Sequence, residues 1–471
     1  MQSEIIIYGT IALIMWIFIF AYSFRNSNLR WASPACLTSA GLLSFYIVPS
    51  LYWQLRPWTY YQYHYFDGLH LVMISACLFG LPFIIGIILG ALKRKGEIIS
   101  VDIHDFKFNK FLWIFFFILL FGIAWRIYLL TLGWQGRFVR EAPAIAGSED
   151  LALIVFNLTY FYAACYFALA AFGNRAQKKA GIFLWIIDGF FQLFLIHRYW
   201  IYLYVFRSTV FLIFLGLKMK LRHWVAITAF GIFVMAVIGQ SHIVSHGMVS
   251  GDRPFLSVTQ VIDVIKETTS EYKRGAFEGD YGSSDPNIFL RALDDTMYRL
   301  YDARSASALM MSTPDIIPYF YGGTLVHALY SLVPRYFWPD KPHLEEIHNI
   351  TKWVMKNESG TCSTGTLAEL YMNYGFIFVF LGGIAYFFVC LWFENYLKDV
   401  KNITPAWICM YPILAEQFLL ANHNFTQRGC ETIRGLLVLA LIALIFSMAK
   451  KRFKRDVQQM SDKNYSEKEL R

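Results

Sequence analysis

Five arginines raise the question of chemistry: Arg126, Arg207, Arg299, Arg335 and Arg428. They come from distant segments of a strongly apolar chain, yet the loop pattern below puts them toward one membrane face. Guanidinium is a planar, weakly hydrated, bidentate binder of phosphate oxygens. A set of them lining one pocket suits a diphosphate. Charge builds on a diphosphate as the bond to it breaks, and preorganised cations stabilise that charge without a metal. Other templates fail. "HLEEIH" has the wrong order and spacing for HExxH, and there is no GxSxG, P-loop, CxxC or DxD. His242, His246, His327, His343, His348 and His423 show no ligand pattern, so neither a metal nor a cofactor is expected.

Each cation has an ordinary alternative. Arg126 falls in the outer part of an apolar run, where a long side chain can snorkel to the interface. Arg207 lies about ten residues before Lys218, a depth that favours a cavity-facing role. Asp188 reads as an internal partner for an arginine. Arg335 sits in "SLVPRYFWPDKP", residues 331–342, where Pro334, Pro339 and Pro342 forbid a continuous helix. The prolines hold the backbone around Arg335 and Lys341; capping of the helix that ends near 332 is the alternative role for Arg335.

The elements that must position these groups are membrane spans. Of 471 residues 57% are hydrophobic and 16% charged, against about 25% charged in soluble domains. Apolar runs long enough to cross a bilayer core of roughly 30 Å recur throughout. The expected fold is all-α and polytopic, with eleven spans near 5–23, 33–53, 69–92, 111–132, 151–172, 180–197, 200–217, 223–240, 369–393, 404–421 and 433–449. Residues 5–23 lack a basic leader and a cleavage site, and read as a span that stays. Lysines cluster in one set of loops and in "KKRFKRD" near the C-terminus; the short loops of the other set hold arginine and no lysine. The lysine-rich side is expected to be cytoplasmic, with the N-terminus outside and the C-terminus inside. The net charge of +9 therefore points to anionic lipid, not to nucleic acid.

The chain divides into a bundle over 1–240, a loop over 241–368, a second bundle over 369–449 and a basic tail over 450–471. The loop is too long and too patterned to be a linker. "RPFLSVTQVIDVIKET" reads as an amphipathic helix. "SSDPNIFLRALDDTMYRLYDARSASALMM" reads as another, with Asp285 as N-cap, Pro286 at the first helical position and an apolar stripe of Phe289, Leu293, Met297 and Leu300. Further helices are expected over 323–332 and 343–356. The aromatic run "YWQLRPWTYYQYHYFDG" reads as an interfacial belt or as a platform for sugar rings. A Cys362–Cys430 disulfide is compatible with this topology.

"LVPRYFWPDKP", followed by "TGTLAELYMNYG" at the start of a span, resembles the Wzy-type oligosaccharide repeat-unit polymerases of O-antigen and enterobacterial common antigen. That family carries a Pro-Arg-aromatic-Trp-Pro-x-Lys/Arg-Pro box late in a large periplasmic loop, then a Glu-x-Tyr-x-Asn-aromatic-Gly segment. Here the segment is Glu369, Tyr371, Asn373, Tyr374 and Gly375. "TQRGCETIRG" resembles the arginine-bearing last outer loop, and "FRSTVFLIFLGL" the segment around Arg207, with Phe206 before the arginine where the family has Gly-Ser/Thr-Arg. The resemblance covers roughly residues 110–450. It implies a bacterial inner-membrane glycosyltransferase with a fold like that of O-antigen ligases (GT-C-like), working without metal. Donor and acceptor would be undecaprenyl-diphosphate-linked glycans, with membrane lipid and a chain-length regulator as partners. Arg126, Arg207, Arg299, Arg335, Lys341 and Arg428 would hold diphosphate. Glu369 would be the general base, with His327 and His343 in reserve. Phe337, Trp338, Tyr371 and Asn373 would contact sugar or lipid. The rival readings are an O-antigen ligase and, without catalysis, a lipid-linked sugar flippase or exporter.

Overall fold

A computed structural model describes residues 2–27, 29–55, 68–92, 112–131, 159–194, 198–214, 301–331, 364–397, 404–421 and 423–469, with isolated residues between 263 and 300 and between 338 and 354. Among the described residues the ordered elements are all helical. Five helices are long and apolar enough to cross a bilayer: α1 (Gln2–Asn26), α2 (Pro34–Leu55), α3 (Leu69–Ile88), α10 (Thr366–Leu397) and the first part of α12 (Phe425–Glu469). The other helices are α4 (Trp113–Thr131), α5 (Thr159–Phe172), α6 (Arg175–Phe194), α7 (Arg198–Phe214), α8 (Ala303–Ser312), α9 (Gly323–Ser331) and α11 (Pro405–Leu419). This is the architecture of a multi-pass membrane protein. Each expected span meets one of these helices except 223–240, which lies outside the described residues.

The packing explains the sequence pattern. α11 is buried along its whole length, enclosed by α2, α5, α7 and α12. A helix enclosed all round needs no amphipathic stripe, and its sequence "PAWICMYPILAEQFL" has none. Outer helices expose apolar stripes at helical spacing instead: Ile377, Leu381, Phe388 and Trp392 on α10, and Leu437, Leu441, Leu444 and Met448 on α12. Those stripes are where acyl chains belong. α3 packs on α1 and α10, with the Trp16 indole N–H donating to Ala76 O at 3.0 Å.

Two elements depart from the regular pattern. α2 starts with Ser33 Oγ accepting from Cys36 N at 3.1 Å and Pro34 in its first turn, then passes through a π turn at Leu43–Ile47. The Phe45 carbonyl in that turn accepts the Asp302 N–H at 3.2 Å. This bond interrupts the helix expected across 285–311: the chain breaks at Asp302 and restarts as α8. Of the expected stripe, Met297 and Leu300 pack against the core, while Asp285, Pro286 and Phe289 lie outside the described residues. α10 is in fact two helices. Tyr374 (φ −167°, ψ 47°) and Gly375 (φ 62°, ψ −151°) break it into a buried half-helix over 366–373 and a long helix over 376–397. The long part alone rises about 33 Å, enough to cross the core, and the half-helix folds back beside it, with Leu370 against Gly382.

Candidate functional site at the broken helix

The half-helix ends in open carbonyls, which in a membrane must be satisfied by protein. The segment before α9 does this. Phe320 N donates to Met372 O at 3.0 Å and Tyr321 N to Asn373 O at 2.9 Å. Gly322 N donates to Asn373 Oδ1 at 2.9 Å. The Asn373 amide donates onward to Thr324 Oγ1 at 2.7 Å and to Glu369 O at 2.8 Å. Asn373, expected to contact sugar, is thus the clamp between the loop and the broken helix. At the other end of the half-helix Gly365 has φ 74°, and a Cβ there would lie 1.9 Å from Tyr46 Oη. Glycine is required by both the backbone and that ring.

Glu369 is fully buried. Its carboxylate accepts from Thr426 N at 3.0 Å and contacts the Thr426 hydroxyl, which also reaches Thr324 O at 3.0 Å. The carboxylate therefore sits on the positive N-terminal end of α12 as well as in the first turn of its own helix.

Arg428 was expected in an outer loop, followed by a span from 433. The helix instead begins at Phe425, and Arg428 is a buried residue of its first turns, with its backbone N–H on Asn424 O at 3.0 Å. Its guanidinium donates to Gln417 O at 2.7 Å, Thr366 Oγ1 at 2.9 Å, Phe418 O at 3.3 Å and the Tyr386 hydroxyl. Its Cζ lies 4.6 Å from the centroid of the Tyr386 ring. Every one of these acceptors is neutral.

Arg207 differs. On α7, it makes a bidentate ion pair with Glu416 of α11, at 2.5 and 2.7 Å, and both side chains are buried. Gln417 Nε2 also donates to Glu416 Oε1 at 3.2 Å. The Arg207 charge is thus balanced inside the bundle. Asp188, expected to pair with an arginine, is buried on α6; the carboxylate matched to Arg207 is Glu416.

Of the other named residues, Tyr371 is buried in the half-helix with its ring 5.1 Å from Phe376, and Trp338 is partly exposed, edge-on to Tyr330 at 5.2 Å. Arg299, Arg335, Phe337, Lys341, His343 and Cys362 lie outside the described residues, as do the side chains of Arg126 on α4 and His327 on α9. Glu416, Thr426, Thr366 and Tyr386 were not singled out from sequence. Glu416 carried a signal: it is an acid inside an expected span, where each charge is a functional candidate. Thr426, Thr366 and Tyr386 carried none, because hydroxyls are common in membrane helices. Among the described residues no group of His, Cys, Asp and Glu is arranged to hold a metal.

A family model described as a domain of unknown function, DUF8712, matches residues 293–398. No curated protein and no solved structure matches the chain. The matched stretch runs from the loop through α10. It contains the proline box, the Asn373 clamp and Glu369, and stops short of Arg428.

Proposed function

We propose that the protein polymerises undecaprenyl-diphosphate-linked oligosaccharide repeat units at the outer face of the bacterial inner membrane. The observation that carries this reading is Arg428. It is a buried cation with only neutral protein partners among the described residues, held between the first residue of the half-helix, Thr366, and Tyr386 of the long helix. Burying a charge without a counter-ion is costly, so such a site favours an anion. The guanidinium lies beside Tyr386, half-way along the 376–397 helix, so in this reading the diphosphate dips into the bundle to reach it. The resemblance of the proline box and of the Glu-x-Tyr-x-Asn segment supplies the glycan.

In this reading Arg428 binds the donor diphosphate with Arg335, Lys341 and Arg299 from the outer loop. The acceptor hydroxyl attacks the anomeric carbon of the donor. The new C–O bond forms as the bond from that carbon to the diphosphate oxygen breaks, and undecaprenyl diphosphate leaves with the electron pair. The hydroxyl proton passes to Glu369 by way of Thr426. Arg207 supports the site from behind through Glu416 and Gln417, whose carbonyl accepts from Arg428.

Deletion of the gene followed by glycan analysis tests the proposal. The expected result is a surface glycan reduced to single repeat units on its carrier. Long chains accumulating on undecaprenyl diphosphate would instead mark a ligase, and loss of outward-facing lipid-linked units a flippase. Arg335→Ala and Arg335→Lys should both shorten the polymer at normal protein level. Normal chains in both would remove Arg335 from the diphosphate site.

A further inference from the structure

We propose that Tyr319, Tyr321 and Tyr374 form a stacking site for a pyranose ring, placed at the break in α10. Sugar as the occupant rests on the function proposed above. The three rings stand around a common point, with centroids 6.2, 5.8 and 5.8 Å apart and planes inclined at 70°, 48° and 50°. Rings so inclined do not stack on one another; they make the walls of a cup. Tyr321 is 72% exposed and Tyr374 44%, so the cup is open.

Three features set this cup apart from lipid-facing surface. Its residues are all tyrosine, whereas the lipid-facing stripes of α10 and α12 are mainly aliphatic, with Phe388 and Trp392 on α10. Phenols offer a π face to the C–H bonds of a sugar and a hydroxyl to its oxygens. The exposed Asp315 lies four residues before Tyr319, so the same loop carries a carboxylate for sugar hydroxyls. Finally, the backbone of Tyr321 is held in a costly conformation there. Tyr321 has φ 48°, in the left-handed region that a residue with a side chain rarely adopts. A residue that is mostly exposed gains little packing energy from such a conformation. Persistence of strain at an exposed residue marks a position kept for something other than packing. The bonds from Phe320, Tyr321 and Gly322 to Met372 and Asn373 hold the cup rigid and tie it to the half-helix that carries Glu369. A sugar stacked there would sit directly above the proposed reaction centre.

The test uses the full chain in lipid nanodiscs and saturation-transfer-difference NMR. The probes are methyl α-glucopyranoside, methyl α-galactopyranoside and N-acetylglucosamine. Saturation is expected on the ring C–H protons of at least one probe. It should be lost in the Tyr321→Ala, Tyr374→Ala double variant and kept in Tyr321→Phe, Tyr374→Phe, which retains the rings. No transfer to any probe, or transfer untouched by the alanine pair, overturns the site. The readout does not depend on polymer formation. Normal polymer in the gene deletion would sink the polymerase reading while leaving sugar binding to stand or fall by itself.

Discussion

Two buried arginines, Arg207 and Arg428, carry the same charge and have opposite surroundings. Arg207 has a carboxylate in bidentate contact; Arg428 has carbonyls and hydroxyls. Removing one partner of a buried pair leaves the other charge uncompensated, at about 3–5 kcal/mol. Arg207→Gln and Glu416→Gln should therefore each lower the thermal midpoint in detergent strongly. Arg207→Met with Glu416→Leu should recover much of that loss, because an apolar pair of similar volume replaces both charges. Unchanged melting in the single variants would show that the pair contributes nothing to the fold. At Arg428 the expectation is reversed: function should suffer more than stability. Arg428→Lys keeps the charge but has three donors on a single nitrogen, which cannot span Gln417, Phe418, Thr366 and Tyr386 together. Polymer length should fall sharply in this variant while protein level and melting change less than in Glu416→Gln. Full-length polymer from Arg428→Lys would remove the planar fork from the mechanism.

At the scale of the element, the broken helix decides how loop and bundle are joined. Gly375, with φ 62° and ψ −151°, occupies a region nearly closed to other residues. Gly375→Ala should cost on the order of 1–3 kcal/mol. Asn373→Leu removes the Gly322, Thr324 and Glu369 hydrogen bonds together and should expose the 313–324 segment to limited proteolysis at unchanged bundle melting. Asn373→Asp keeps an acceptor for Gly322 N and should protect that segment in part. If Asn373→Leu is cut no faster than the parent, the clamp is not what holds the segment. The same element shows what the sequence could and could not reveal. Length and hydropathy were enough to locate the five long apolar helices, because the bilayer imposes both. The start of a helix at the TGTLAELYMNYG segment was also legible. The break was not: a glycine inside an apolar run is ordinary in membrane helices, and the donors that cap the break lie fifty residues upstream. Likewise "TQRGCETIRG" reads as a polar loop. Arg428 and Glu431 look too polar for a span until Thr366, Gln417 and Phe418, from other elements, are seen to receive the guanidinium.

Across the whole molecule, charge and site lie at opposite ends of the bundle. The α1–α2 connection carries Arg25 and Arg30, the start of α6 carries Arg175, Lys178 and Lys179, and "KKRFKRD" extends α12 past its apolar part. These positions share the end away from Tyr321, Glu369 and Thr426. Lysine and arginine are retained on the cytoplasmic side during insertion, so the cluster at the broken helix should face outward. A donor carried on undecaprenyl diphosphate meets its acceptor on that outer face, and the proposed reaction requires this orientation. Alkaline phosphatase joined after Tyr321 should be active, and green fluorescent protein joined after Arg471 should fluoresce, with each reporter silent at the other position. The reverse pattern would open the Arg428 site to the cytoplasmic side. There it could still bind a lipid diphosphate, but it would meet the newly made repeat unit before export, and polymerisation would no longer fit. The two fusions thus separate a diphosphate site that receives exported units from one that handles them earlier.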